Sequence, residues 1–273
     1  MRLSIRHETL HRYGEPVRSV IQILRLTPRN HEGQHVVHWR IDVDVECRLK
    51  ASQDAFGNIV HRFTSDGPHS MVVVTAIGEV ETFDTRGVVN GAVERFPPDM
   101  YLRSTPMTPV NADVRGLVQR AIAGQASELD RLHALLRAIP EADSPQTLEM
   151  GDDARQSQGQ MSAQALPEHL AHLFIACARF IDIPARYVAG YRLPDATATL
   201  QGAHGWAEAF VPGLGWVGFD PANGLCPDDR YVRVAIGLDS LGASAMRVAH
   251  AGGAEHATEV KLTIAEVRPR GQG

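Results

Sequence analysis

The sequence predicts an α+β protein in which an antiparallel β region precedes a mixed region of helices and strands. Three observations predict it. Residues 38–50 alternate with period two, setting Trp39, Ile41, Val43, Val45, Cys47 and Leu49 against Arg40, Asp42, Asp44, Glu46 and Arg48. That alternation marks a strand with one buried and one wet face. Pro97, Pro98, Pro106 and Pro109 then interrupt the chain, as a domain junction does. Beyond them the apolar spacing changes to the 3.6-residue period of helices.

In the first region, strands are expected at Leu3–Tyr13, Val20–Thr27, His38–Lys50, Ile59–Phe63 and Met71–Val80, with a turn at Asp54–Asn58. No helical period occurs there, so residues 1–105 read as an antiparallel sandwich or barrel-like domain. Residues 106–273 read as the second domain. Asn111 or Asp113 can cap its first helix. Ser127 can cap a second, whose stripe of Leu129, Leu132, Leu135, Leu136 and Ile139 ends at Pro140. Residues 141–164 are polar, Gln-rich and without period, which predicts a loop inserted before the next helix. In that helix Leu166, Leu170, Leu173, Phe174, Cys177 and Ile181 share one face, and Asp182-Ile183-Pro184 ends it. A strand follows at Ala185–Tyr191. His204–Val211 and Trp216–Asp220 then form a hairpin around Pro212-Gly213-Leu214-Gly215. A loop centred on Pro212 places His204 and Asp220 opposite each other, although a slip of one residue would separate their faces.

Composition narrows the function classes. The chain has 273 residues and a net charge of −5, which gives no general attraction to nucleic acid or anionic membranes. No apolar run approaches the roughly 18 residues of a membrane span. The opening MRLSIRHETL has no apolar run after its basic residue and is not expected to act as a secretory signal. Three widely spaced cysteines, Cys47, Cys177 and Cys226, argue against a disulfide framework. The expectation is a cytoplasmic protein without nucleic-acid or membrane partners.

His204 and Asp220 carry the chemistry. A His and an Asp on neighbouring strands, facing a helix N-terminus, frame a Cys-His-Asp acyl-transfer site. The helix dipole there lowers a thiol's pKa, the His takes its proton, and the Asp fixes the His tautomer. Trp206 and the helix-start residues Glu168 and His169 border the pair as candidate binding residues. Cys177 falls on the apolar stripe and reads as core, Cys226 falls in a loop, and Cys47 on a strand's buried face. A weaker alternative groups Glu168, His169 and His172, with His204, as metal ligands. The preferred reading holds no metal and no cofactor.

Ile183-Pro184-Ala185-Arg186-Tyr187-Val188, His204-Gly205-Trp206-Ala207-Glu208-Ala209, Gly215–Gly224 and Tyr231–Gly237 resemble the bacterial transglutaminase-like (papain-like) family. Its members carry "IPARYVSGY", "HAWAEAWVPGLGWVGFDPTNG" and "YVRVAVG". The first 100 residues also resemble the β domain preceding that family's catalytic core. The resemblance implies a papain-like core and a nucleophile in a helix-start motif of the form G-V-C-Q-D-[FH]-A-H. Aligned on Ala171-His172-Leu173, that motif puts Ala165 at the Gly, Pro167 at the Cys, Glu168 at the Gln and His169 at the Asp. Proline supplies neither thiol nor backbone N–H, yet it suits a helix's first turn. The resemblance therefore implies a protein without thiol catalysis, with His204 and Asp220 as a remnant dyad in a cleft. The expected ligand is a peptide or protein, and a partner handling amide bonds, a ligase or a peptidase, is implied. The alternative is an active amidase, peptidase or transglutaminase that uses His204 and Asp220 with another nucleophile or a water.

Overall fold

The computed structural model describes residues 1–142, 165–194, 203–253 and 256–267. The predicted loop lies, from residue 143 on, outside the described residues. Among the described residues, two antiparallel sheets and three α-helices make the fold. The first sheet contains β1 (Arg2–Thr27), β2 (Gln34–Val43), β3 (Lys50–Gln53) and β4 (Ile59–Thr82). β1 pairs along most of its length with β4, β2 lies on the far side of β4, and β3 adds to the same strand. The two strands predicted within 3–27 are one. Register shifts between Arg12 and Ser19 bend β1 without ending it, as bulges do. Ile59–Phe63 and Met71–Val80 likewise belong to one strand.

The first sheet draws on both ends of the chain. β10 (Met246–Ala251) pairs with the second half of β1, and β11 (His256–Glu266) with its first half. The sequence predicts residues 106–273 as a separate second domain; the pairing assigns 246–266 to the sheet of the first. A strand's sheet partner is non-local information that its own alternation does not carry.

The second sheet runs β5 (Val88–Val89), β8 (Gly215–Phe219), β7 (His204–Val211), β6 (Ala185–Arg192), β9 (Tyr231–Gly237). Helices α1 (Ala112–Ala121), α2 (Glu128–Ala142) and α3 (Ala165–Phe180) complete this half. Both predicted caps form: the Asn111 side chain accepts from the Val114 amide at 2.9 Å and Ser127 Oγ from the Asp130 amide at 3.1 Å. Pro140 lies inside the last turn of α2 rather than at its end. So near the terminus, its missing N–H costs a single intrahelical bond. α3 buries Leu170, Phe174, Ile175 and Cys177, while Leu166 of the predicted stripe is 42% exposed. Asp182, at φ 59°, ends the helix in the left-handed conformation, and the Ile183 amide reaches back to the Ala178 carbonyl. No helix among the described residues is long and apolar enough to cross a membrane.

An ion network underlies the second sheet. Arg186 of β6 is fully buried; its Nε donates to Glu208 Oε2 at 2.6 Å and its terminal nitrogens donate to Glu94 at 2.6 and 3.0 Å. The guanidinium lies 3.7 Å from the Trp216 ring centroid. Glu208 also accepts from Arg233 Nε at 2.7 Å. Burial disfavours its charge, yet Arg233 and Arg186 hold its carboxyl down at about 2.

Two predictions follow from burial. Glu208→Gln leaves two arginines facing a neutral group, so unfolding free energy should fall by about 3–5 kcal/mol in urea titration; a loss below about 1 kcal/mol would show that the network contributes little. The second concerns acid. Burial lowers His7, His11 and His31 to about 4, below the ordinary value near 6.5. The unfolded chain then binds more protons, so stability is complete above about pH 6.5 and declines toward pH 4. The Glu208 contribution stays nearly complete down to about pH 4.5 and is lost below it, as pH falls toward about 2. A urea midpoint unchanged from pH 7.5 to pH 4.5 would contradict this.

Candidate functional site

The hairpin brings His204 and Asp220 together by a register other than the predicted one. Ala207 pairs with Phe219 and Val211 with Gly215, the turn being permitted by Gly213 and Gly215 at φ 86°. Carried one residue further, that register sets Asp220 opposite Trp206, two positions from His204. An even displacement keeps both side chains on one face, so they meet diagonally. His204 Nε2 lies 2.6 Å from Asp220 Oδ2.

Asp220 is fully buried and heavily engaged. It accepts from Tyr231 Oη at 2.6 Å, from Asn223 Nδ2 at 2.7 Å and from the Ala222 amide at 3.0 Å. Burial pushes its pKa up, but His204, Tyr231 and Asn223 outweigh burial and hold the carboxyl below its ordinary value. The His204 ring stacks on Trp206 at 6.1 Å and meets Tyr231 edge-on at 5.9 Å. Trp206 is itself buried, so it supports the imidazole from behind. An ionised, fixed Asp orients that imidazole for proton transfer.

Alternation sends His204, Trp206 and Glu208 to one face of the sheet and Gly205, Ala207 and Ala209 to the other. Ala207 and Ala209 share a core with Leu170, Phe174 and Ile175 of α3, whereas Trp206 packs with Val188, Tyr231 and Ile236. His204 therefore projects from the face opposite the body of α3. The two sides approach each other at Gly205, where a Cβ would stand 1.8 Å from Tyr187 Oη. Glycine at this position, where the family pattern has alanine, is what admits that hydroxyl. Tyr187 packs on His172 of α3 at 5.1 Å. Burial and then the charges of Glu168 and Asp220 raise its pKa.

Pro167 lies in the first turn of α3, where backbone N–H groups have no intrahelical partner. Glu168 Oε1 accepts from Ser240 Oγ at 2.6 Å, and His172 Nε2 accepts from the Ser240 amide at 3.0 Å. His169 is exposed. The alternative metal reading is not supported: His172 has committed its Nε2, and no cluster of three or more His, Cys, Asp or Glu suited to a metal occurs among the described residues. Burial pushes the Cys177 thiol up to about 12 and the Cys226 thiol up to about 11; burial and then Asp44 raise Cys47. Tyr231, Asn223 and Tyr187 are the site residues that the sequence did not single out. Asn223, three residues after Asp220 in Asp220-Pro221-Ala222-Asn223-Gly224, is the only one with a local signal, an Asx-type turn.

An antiparallel sheet packed on a central helix through one face and carrying a His–Asp pair on the other has the frame of a transglutaminase-like core. Residues 115–221 match the transglutaminase-like superfamily and residues 3–81 the bacterial transglutaminase-like N-terminal region. The chain is a bacterial transglutaminase-like protein with that N-terminal β region. It is 27% identical to an uncharacterized protein of Mycobacterium leprae, covering 96% of this chain and 97% of the relative. It is 24% identical to one from Mycobacterium tuberculosis, covering 87% and 84%. Among solved structures, a candidate cysteine protease from Cytophaga hutchinsonii superposes with a TM-score of 0.65 at 17% identity, over 98% of this chain and 91% of the other. At that identity the likeness bears on the fold alone.

Proposed function

We propose that this protein is a transglutaminase-like protein without thiol catalysis, whose His204–Asp220 cleft serves to bind a peptide or protein ligand. One observation carries the reading: His204 is held on a fully buried Asp220 as for catalysis, yet none of the chain's three cysteines is an activated thiol. Cys177 lies ten residues along α3 from Pro167, about 15 Å at 1.5 Å per residue, in the apolar core. Cys226 is half-buried and its pKa lies well above neutrality. Thiolates, not thiols, attack. Pro167 stands at the position where the family pattern places the nucleophile, and it removes the thiol together with an N–H that could bind an oxyanion. A cytoplasmic location and a partner that makes or breaks amide bonds are consistent with the absence of disulfides and with the family resemblance.

The test is chemical. Wild-type protein should show no amidase or transglutaminase turnover sensitive to alkylation. Iodoacetamide should label Cys226 slowly and Cys177 only after unfolding. Pro167→Cys restores a thiol and an N–H at once; near neutral pH it should react with iodoacetamide at least about tenfold faster than the native cysteines, at a rate that His204→Ala reduces. Thiol-dependent turnover by the unmodified chain, abolished by changing Cys226 or Cys177, would overturn the proposal.

A further inference from the structure

β1 carries a polar row on a buried face. Leu3 and Ile5 point into the core, and alternation then puts His7, Thr9 and His11 on the same face, each no more than 4% exposed. Buried strand positions are ordinarily apolar, and a polar group there needs partners. His7 has them on both ring nitrogens: Nδ1 lies 3.0 Å from Tyr191 Oη and Nε2 3.3 Å from Thr9 Oγ1.

His11 is placed differently. Its Nε2 lies 2.8 Å from the Met246 Sδ of β10. A thioether sulfur only accepts, and a neutral imidazole carries one N–H; that contact therefore puts the proton on Nε2 and leaves Nδ1 its lone pair. Two polar atoms of β11 meet this lone pair. Nδ1 lies 2.9 Å from His256 Nε2 and 3.1 Å from Thr258 Oγ1, and those two atoms are 3.4 Å apart. Strand pairing arranges this, because Thr258 stands directly opposite His11, and His256 stands two residues away on the same face. One ring lone pair accepts one well-aligned hydrogen bond, so a second donor finds it taken.

Three donor atoms closing on one point are what a metal ion needs. Their triangle has a circumscribed radius of about 1.8 Å, so a point about 2.0–2.1 Å from each, the length of a zinc–imidazole bond, lies roughly 1 Å out of its plane. Met246 on the far ring nitrogen then fixes the His11 tautomer, as the outer partner of a ligating histidine does. All four residues line a cavity of about 500 Å³ between β1, β10, β11 and the start of α3, through which an ion reaches the triangle. Two imidazoles fall short of a cluster of three His, Cys, Asp or Glu; the Thr258 hydroxyl is the third donor. The set shares no residue with Glu168, His169 and His172 at the helix start. Imidazole suits zinc and copper, whereas magnesium takes oxygen ligands.

We propose that His11 Nδ1, His256 Nε2 and Thr258 Oγ1 bind one divalent transition-metal ion of the zinc–copper class on the first sheet, with Met246 as a positioning residue. The site is independent of the reading given to the His204 cleft.

The experiment titrates Zn²⁺, Cu²⁺ and Mg²⁺ separately into the chelator-treated full chain at pH 7.5 and follows calorimetry and the melting temperature. Zn²⁺ and Cu²⁺ should bind, Cu²⁺ the more tightly, and each should raise Tm, since an ion held by the native chain stabilises it. Mg²⁺ should do neither. His256 is exposed, so His256→Ala should keep the wild-type circular dichroism and lose at least about tenfold in Zn²⁺ affinity. Thr258→Val, close in shape to the native residue, should weaken binding in the same direction. Met246→Leu removes no ligand and should still cost about tenfold. His169→Ala should bind as wild type does. Failure of both Zn²⁺ and Cu²⁺ to bind, or Mg²⁺ binding as tightly as Zn²⁺, would overturn the proposal. So would Zn²⁺ affinity unchanged in His256→Ala and Thr258→Val, or abolished by His169→Ala, which would move the ion to the helix start.

Discussion

The fully buried Arg186–Glu208 pair is the interaction on which the rest of the structure depends. Two charges placed at the centre of a sheet are tolerated only when geometry and further hydrogen bonds repay their desolvation. Glu94 in the segment between the two halves, Arg233 on β9 and the Trp216 ring supply those partners. Through Arg233 the network reaches the first sheet, because the Arg233 amide donates to Gln34 Oε1 at 2.7 Å and Gln34 Nε2 donates to the Arg233 carbonyl at 2.9 Å. Glu208 sits four residues beyond His204 on the same face of the same strand. Fixing Glu208 fixes the register of β7, and with it the direction in which His204 points.

The His204–Asp220 pair repeats this principle on a smaller scale. Asp220 is held by backbone and side-chain donors from its own turn and by Tyr231 from a non-adjacent strand. Such a carboxylate cannot follow a wandering imidazole; the imidazole must settle on it, backed by Trp206. Preorganisation of this kind does not depend on a nucleophile, since none of its contacts involves one. Pro167 leaves the helix comfortable for the same reason: the first turn has no intrahelical use for its N–H.

What the sequence revealed and what it concealed divide along physical lines. The caps at Asn111 and Ser127, the apolar stripe of α3 and its end at Asp182 were legible because each is decided within a few residues. The identity of the dyad was legible through the motif around His204 and Asp220. Its register was not: a turn centred on Pro212 and one centred on Gly213 differ by two positions across the strands, and both put the pair on one face. Tyr187 and Tyr231 escaped notice because a tyrosine in a strand gives no sign of where its hydroxyl ends. His11 was invisible as well, since within an alternating strand nothing distinguishes a polar residue on the buried face until the face is known.

The pairing of β1 with β10 and β11 has a consequence for how the molecule comes into being. A ribosome releases β1 well before β10 and β11, so until those strands emerge the first strand has one open edge, with its amide and carbonyl groups exposed to any chain that offers a complementary strand. Contacts closed between the two ends carry the largest loop-closure cost and form late. The sheet is thus completed only after β10 and β11 have been made. Truncation at either end, however remote in sequence from His204, strips a neighbour from the strand that lines the cavity beside it.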